Sequence, residues 1–252
     1  NYIERAIKGI LSQTYKNFEF IIIDDNSNDG TNIIIKKYED KDVRIIVIKN
    51  SLNLGLTKSL NIAINKSKGK YIARQDVDEC SLPERLEYQL NFMTENNAVV
   101  VGSNCINIYP DGTKTVWGYY NEFQILKLIK FRSPIPHGSA FFDKNIFFNV
   151  NRYDEKYQTS QDLDLWIKMS NFGKIIMSKK ILLHRNIDIN SISERRKFKQ
   201  FTDSFIIRIN HSRGLERLIL ILYSFYYYFI SLIPKKIFFL IINFKKKLLF
   251  SK

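Results

Sequence analysis

The feature that most restricts what this chain folds into is a threefold alternation in its first third. Residues 18–23, 44–48 and 71–73 are largely apolar runs of strand length. Between them lie Ile33, Ile34, Ile35 and Tyr38, then Leu56, Leu60, Ala63 and Ile64, spaced for helices. A β-α-β-α-β succession predicts an α/β fold: a mostly parallel, Rossmann-like sheet with right-handed crossovers, flanked by helices. Each strand ends in a polar loop, at residues 24–30, 50–55 and 74–79, and open α/β sheets bind ligands at the carboxyl ends of their strands. Thr31 is placed to cap the first of the two helices.

The third strand runs into Arg74-Gln75-Asp76-Val77-Asp78-Glu79. If the extended backbone continues, Asp76 and Asp78 project to one side and face a hard cation with its phosphate ligands, and Arg74 points the same way. Oxygen ligands favour Mg2+ or Mn2+ over zinc. Arg74 then either contacts phosphate or pairs with an acid.

The chain opens in a helical pattern (Ile3, Ala6, Ile7, Ile10, Leu11) without an initiator Met, which reads as a fragment. Beyond the acidic segment, Pro83 starts a helix with Leu86, Leu90 and Met93. Residues 98–101 form a strand ending at Gly102, residues 106–117 a hairpin about Pro110-Asp111-Gly112, and residues 123–131 a helix. A proline-rich passage around His137 follows. A helix then begins near Asp162 and closes at Phe172-Gly173, before late strands at 175–177 and 181–184.

The net charge of +14 is concentrated in the tail. From Glu194 onward there are 13 Lys and Arg against 3 Asp and Glu, leaving only +4 for the first 193 residues. A nearly balanced body argues against nucleic-acid binding. The apolar runs 218–233 and 237–244, separated by Pro234-Lys235-Lys236 and followed by three lysines, are shorter than the roughly 18 to 20 residues of a membrane span. They read as interfacial helices with lysine anchors, or as core helices flanked by solvated charge. Cys80 and Cys105 lack metal or redox spacing, and no secretory leader precedes them, so reduced thiols in a cytoplasmic protein are expected.

Five segments in order carry a resemblance. They are Ser12-Gln13-Thr14-Tyr15-Lys16-Asn17-Phe18-Glu19, Ile23-Asp24-Asp25-Asn26-Ser27-Asn28-Asp29-Gly30-Thr31, Asn53-Leu54-Gly55-Leu56, Tyr71-Ile72-Ala73-Arg74-Gln75-Asp76-Val77-Asp78 and Gln161-Asp162-Leu163-Asp164-Leu165-Trp166. Together they resemble the family 2 glycosyltransferases of GT-A fold, bacterial surface-polysaccharide type, over residues 1–190, with residues 191–252 as a basic, aromatic, membrane-associating helical tail. The family's first strand is missing here. The resemblance implies inverting transfer from a nucleotide-diphosphate sugar to a hydroxyl of a lipid-linked or other glycan acceptor, with a divalent cation, at the inner face of the cell membrane.

It also implies roles. Asp25 resembles the acid that binds the nucleobase; the alternative is a loop acid that caps the next helix. Asp76 resembles the residue near the ribose, Asp78 the metal ligand and Asp162 the catalytic base. Asp164 is the fallback base, though it lies about 200° around the helix. His137 resembles a contact to diphosphate or acceptor, and Trp166 reads as core. Gln161 replaces the family's usual Glu. That substitution and the missing strand motivate the competing reading, a non-catalytic membrane-associated protein of the same fold. A nucleotidyltransferase lacks its Gly-rich phosphate loop, and a dehydrogenase its Gly-x-Gly-x-x-Gly after a strand.

Overall fold

A computed structural model describes residues 2–118, 125, 128, 129, 133–187, 196–215 and 217–222. The chain divides into two compact units, Asn1–Ser204 and Phe205–Lys252. The predicted helix at 123–131 lies, but for three residues, outside the described part, as do most of the first and all of the second apolar run of the tail. Among the described residues no helix is long and apolar enough to cross a membrane.

In the first unit α1 (Tyr2–Leu11) precedes β1 (Phe20–Asp24), α2 (Thr31–Glu39), β2 (Ile45–Lys49), α3 (Leu56–Lys66) and β3 (Tyr71–Ala73). The alternation read from the sequence is therefore the one found. Strands β1 and β2 pair in parallel, Phe20 opposite Ile45 through Asp24 opposite Lys49. They bury Ile22 and Ile45 with Ile7 of α1 and Ile35 of α2. A fully buried side chain of this kind contributes about 1.5–3 kcal/mol. Helix α2 starts differently from expectation: Gly30 is its cap, in left-handed backbone, and Thr31 is its first residue, with its N–H bonded to Asp29 Oδ1.

The larger sheet contains β4 (Glu79–Ser81), β5 (Ala98–Ile108), β6 (Lys114–Trp117), β7 (Phe141–Asp143) and β8 (Lys174–Asn186), in the order β3-β7-β5-β8-β4, with β6 on β5. Its pairing is mixed. Only β5 and β8 run parallel; β3–β7, β5–β7, β4–β8 and the β5–β6 hairpin are antiparallel. The expected late strands are one strand, β8. The register jumps from Ser178 to Ile181, so Lys179 and Lys180 bulge out, exposed, and conceal the continuity in the sequence. Strand β5 likewise continues through Gly102. Helix α4 (Arg85–Glu95) contributes Met93 to a cluster with Val101, Phe141 and Ile176. Helices α5 (Lys144–Asn149), α6 (Gln161–Met169) and α7 (Lys197–Asn210) follow in chain order.

Candidate active site

The in-register parallel pair β1–β2 sets Asp25 beside Asn50. Asn50 Nδ2 and the Leu54 N–H donate to Asp25 Oδ1, both at 2.8 Å, and the Gly55 N–H donates to Oδ2 at 2.8 Å. Burial alone raises this carboxyl, but the hydrogen bonds from Asn50, Leu54 and Gly55 outweigh it and hold it below the usual range. Asp25 thus fastens the start of α3, the second helix after it, whereas its expected capping position was the first.

The acidic segment departs from the extended path assumed for it. Strand β3 ends at Ala73, and residues 76–79 form a tight turn closed by Glu79 N–H to Asp76 O at 3.2 Å. Two-residue parity therefore does not govern Asp76 and Asp78. Arg74 and Asp76 do meet: the buried guanidinium clasps the Asp76 carboxylate with both terminal nitrogens. The main chain of Arg74 is itself fixed, its N–H donating to Ala140 O at 2.9 Å and its carbonyl accepting from Arg85 Nη2 at 2.7 Å. Arg85 is fully buried and also donates to Gln89 Oε1 and Ser81 Oγ, both at 2.9 Å. Burial pulls its pKa down to about 10, so it stays charged at neutral pH.

Glu79 is the member of this group that sequence reasoning passed over. Its buried carboxylate accepts the Asp76 N–H at 3.0 Å, and the Gly138 backbone lies against it. A Cβ on residue 138 would stand 1.5 Å from Glu79 Oε2, so this contact requires glycine. Burial, then the charge of Asp76, pushes Glu79 up to about 7. Burial and Asp76 likewise raise Asp78. Among the described residues no side chain donates to the Asp78 carboxylate; its main-chain carbonyl is held by Asn186, through N–H at 3.1 Å and Nδ2 at 2.8 Å.

Asp162 sits in the first turn of α6 and is partly accessible. Its Oδ2 accepts from Ser133 Oγ at 2.7 Å. A helix N-terminus favours a carboxylate by typically 0.3–1 kcal/mol, while desolvation acts the other way by up to several pKa units. Desolvation wins: Asp162 is raised, with the Ser133 hydrogen bond a partial offset. Asp164, buried, pairs with Lys168 at 2.8 Å. Trp166 is in the core, as expected. Gln161 is buried, and its Oε1 finds no partner among the described residues.

His137 begins a single 3-10 turn (His137–Ser139), and its Nε2 lies 2.8 Å from Tyr153 Oη. Burial, then the charge of Arg74, holds its pKa well below the usual value, so the ring is neutral. The loop carrying Tyr153 is bounded by non-glycine residues in left-handed backbone, Asn151 and Arg152 (φ 60° each) and Ser160 (φ 56°). Arg74 is the electrical centre of the group. Its charge acts on Asp78, Glu79, His137, Tyr153 and Asp162, which couples the acidic turn electrically to the α6 terminus.

No three Asp, Glu, His or Cys side chains among the described residues converge as a ready-made metal cage. The donor set still suits a hard cation held by one or two carboxylates and completed by ligand phosphates. Asp76 and Asp78 repel each other, and a divalent cation would relieve that repulsion.

A family model described as Glycosyl transferase family 2 matches residues 1–152. The chain belongs to that family. It is 33% identical over 211 residues to an uncharacterised glycosyltransferase of Methanocaldococcus jannaschii, covering 80% of this chain and 73% of the other. It is 35% identical over 175 residues to the O-antigen biosynthesis glycosyltransferase WbnJ of Escherichia coli, covering 68% and 67%. Among solved structures, TarS 1-349 of S. aureus in complex with UDP superposes with TM-score 0.67 at 18% identity, covering 87% of this chain and 64% of that one. The mannosyltransferase PcManGT from Pyrobaculum calidifontis, in complex with GDP-Man and Mn2+, gives 0.66 at 15% identity, covering 88% and 64%. These structures establish the fold. The chain spans somewhat less than two thirds of their length, and the expected GT-A class is the one found.

Proposed function

We propose that this family 2 chain catalyses inverting transfer of a sugar from a nucleotide-diphosphate sugar to a hydroxyl of a glycan acceptor, one carried on a lipid during cell-envelope polysaccharide synthesis. The observation that carries the reading is the Asp162 carboxylate: partly accessible, raised by burial, oriented by Ser133, and sharing one electrostatic field with the Arg74–Asp76 clasp. An inverting transfer needs a base on one side of the anomeric carbon and an anion-holding site on the other.

In this reading Asp25 holds the nucleobase, Asp76 and Arg74 the nucleotide, and His137 contacts diphosphate or acceptor. Asp78, with Asp76 beside it, would hold Mg2+ or Mn2+, which supplies Lewis-acid stabilisation of the departing diphosphate. Asp162 accepts the acceptor hydroxyl's proton as that oxygen attacks. Its raised pKa makes the carboxylate a better base and sets the pH dependence: the active anion accumulates only above the raised value, so turnover climbs with pH along a limb above the ordinary carboxylate range. Complexes of relatives with UDP, UDP-GlcNAc and GDP-Man support a nucleotide sugar as donor. The O-antigen relative supports a surface glycan as product. The basic tail suits peripheral attachment to the anionic inner face of the membrane.

The test is binding and turnover across a panel of nucleotide sugars with Mg2+ or Mn2+, using the full chain, Asp78→Ala and Asp162→Asn. Asp162→Asn should keep donor affinity and lose roughly 10²- to 10⁴-fold in transfer. Asp78→Ala should lose cation-dependent donor binding. Absence of nucleotide-sugar binding by the wild type would favour the non-catalytic reading, for which buried Gln161, in place of the family's Glu, is the specific observation.

A further inference from the structure

Tyr153 is buried, yet it belongs to the site. Its phenol bonds His137 Nε2 at 2.8 Å, and the charges of Arg74, Asp162 and Asp76 all act on it. The His137 ring is packed edge-on between two aromatic partners, Tyr153 with centroids 5.6 Å apart and Trp166 with centroids 6.2 Å apart. Trp166 lies four residues beyond Asp162, on the same face of α6. His137 therefore rests against the helix that carries the proposed base.

The backbone of Tyr153 is held from the other half of the fold. Asn61, buried on α3, donates Nδ2 to Tyr153 O at 3.0 Å, and its Oδ1 accepts the Tyr153 N–H at 3.2 Å. The same Nδ2 reaches Glu155 Oε1 at 3.0 Å. One turn earlier Thr57 Oγ1 donates to Tyr157 O at 2.9 Å. Helix α3 is also the helix whose N-terminal lead-in, Leu54 and its cap Gly55, Asp25 fastens. Buried side chains that hold main-chain groups from both sides are rigid mounts, because releasing either partner leaves a buried polar group unpaired.

We propose that Tyr153 is a positioning residue: its phenol fixes the orientation of the His137 ring beside the Asp162 helix, and α3 fixes Tyr153 through Asn61. The inference rests on the transferase reading only for its consequence in rate. A phenol both donates and accepts, so it holds Nε2 of the neutral ring in either tautomer and keeps the other ring nitrogen in one place. A diphosphate oxygen or acceptor hydroxyl then meets a ring nitrogen at a defined position there. Nothing in this arrangement requires Tyr153 to touch substrate.

Tyr153→Phe removes one hydroxyl and keeps the ring that packs on Phe147, at 5.4 Å between centroids. In the full chain it should lower kcat about tenfold, the rate equivalent of one net hydrogen bond, while donor affinity stays within about twofold. The imidazole nitrogen signals of His137 report the mount directly. The chain has only three histidines, and the loss of one set of signals in His137→Gln assigns them. In Tyr153→Phe those signals should shift away from their wild-type positions as the ring loses its hydrogen-bonded anchor. Asn61→Asp, which keeps the acceptor for the Tyr153 N–H and removes the donor to its carbonyl, should move them in the same direction by less. Unchanged His137 signals in Tyr153→Phe overturn the proposal whether or not the wild type transfers sugar, and so does an unchanged kcat with signals that move. Moved signals in a chain that transfers no sugar would overturn the transferase reading instead, leaving Tyr153 as the mount of His137.

Discussion

The two halves of the first unit treat their charges in opposite ways. In the half built from β1, α2, β2 and α3, the proposed nucleotide residue Asp25 has both oxygens taken up by N–H groups and sits below its usual pKa. In the half built on β3, β4, β5, β7 and β8, Asp78, Glu79 and Asp162 are all raised by burial, and Arg74 Nε is buried with no partner among the described residues. The first half is a finished anion site that recognition can use as it stands. The second carries an electrostatic cost that ligands can relieve, which is where perturbed groups are expected if chemistry occurs there.

That contrast can be broken at four points. The largest effect is expected at Arg85 in the costly half. Arg85→Met leaves the Arg74 carbonyl, Gln89 and Ser81 without their donor, and urea unfolding should show a loss of about 3 kcal/mol or more. Next comes Gly138→Ala, whose Cβ displaces the Glu79 carboxylate from the Asp76 N–H. It should cost about 2 kcal/mol, and clearly less in a Glu79→Ala background, so a double-mutant cycle tests whether the contact is the cause.

Asp25→Asn, in the finished half, should cost about 1 kcal/mol, because an amide keeps one acceptor and loses the charge. Its pH signature follows from a lowered pKa. The wild-type contribution is complete above the unfolded carboxyl value near pH 4 and fades as pH falls through the lower folded value, so the difference between wild type and variant should shrink in acid. The smallest effect is expected at Thr31→Ala, within about 0.5 kcal/mol, since Gly30 caps α2. A loss at Thr31 as large as that at Asp25 would erase the distinction between an ordinary loop residue and a site anchor.

Much of this was legible in the sequence because apolar periodicity reports which face of an element is buried. The alternation through β3, the hairpin β5–β6 and the start of α6 all follow from it. The mixed pairing of the larger sheet was not legible: strand direction is set by which distant strand lies alongside, and β7 between β3 and β5 has only three residues to announce itself. The Arg74–Asp76 pairing was visible as one of two alternatives. Glu79 and Gly138 were hidden for a different reason: an acid in an acidic loop and a glycine in a proline-rich loop acquire meaning only when folding brings them together. Tyr153 reads as one more aromatic beside an acidic pair, and its partners Asn61 and His137 precede it by 92 and 16 residues, with no common spacing.

The left-handed backbone at Ser160, immediately before the helix of Asp162, bears on how this chain can diverge. Glycine, asparagine and aspartate enter that conformation readily, whereas β-branched side chains resist it. A library randomised at position 160 should therefore retain a narrow set of small and Asx residues, even though among the described residues the Ser160 hydroxyl makes only a 3.2 Å bond to the Gln200 carbonyl. Selection there would act on the direction in which the helix leaves the loop, and so on the aim of a carboxylate two residues away, without the selected side chain entering the chemistry.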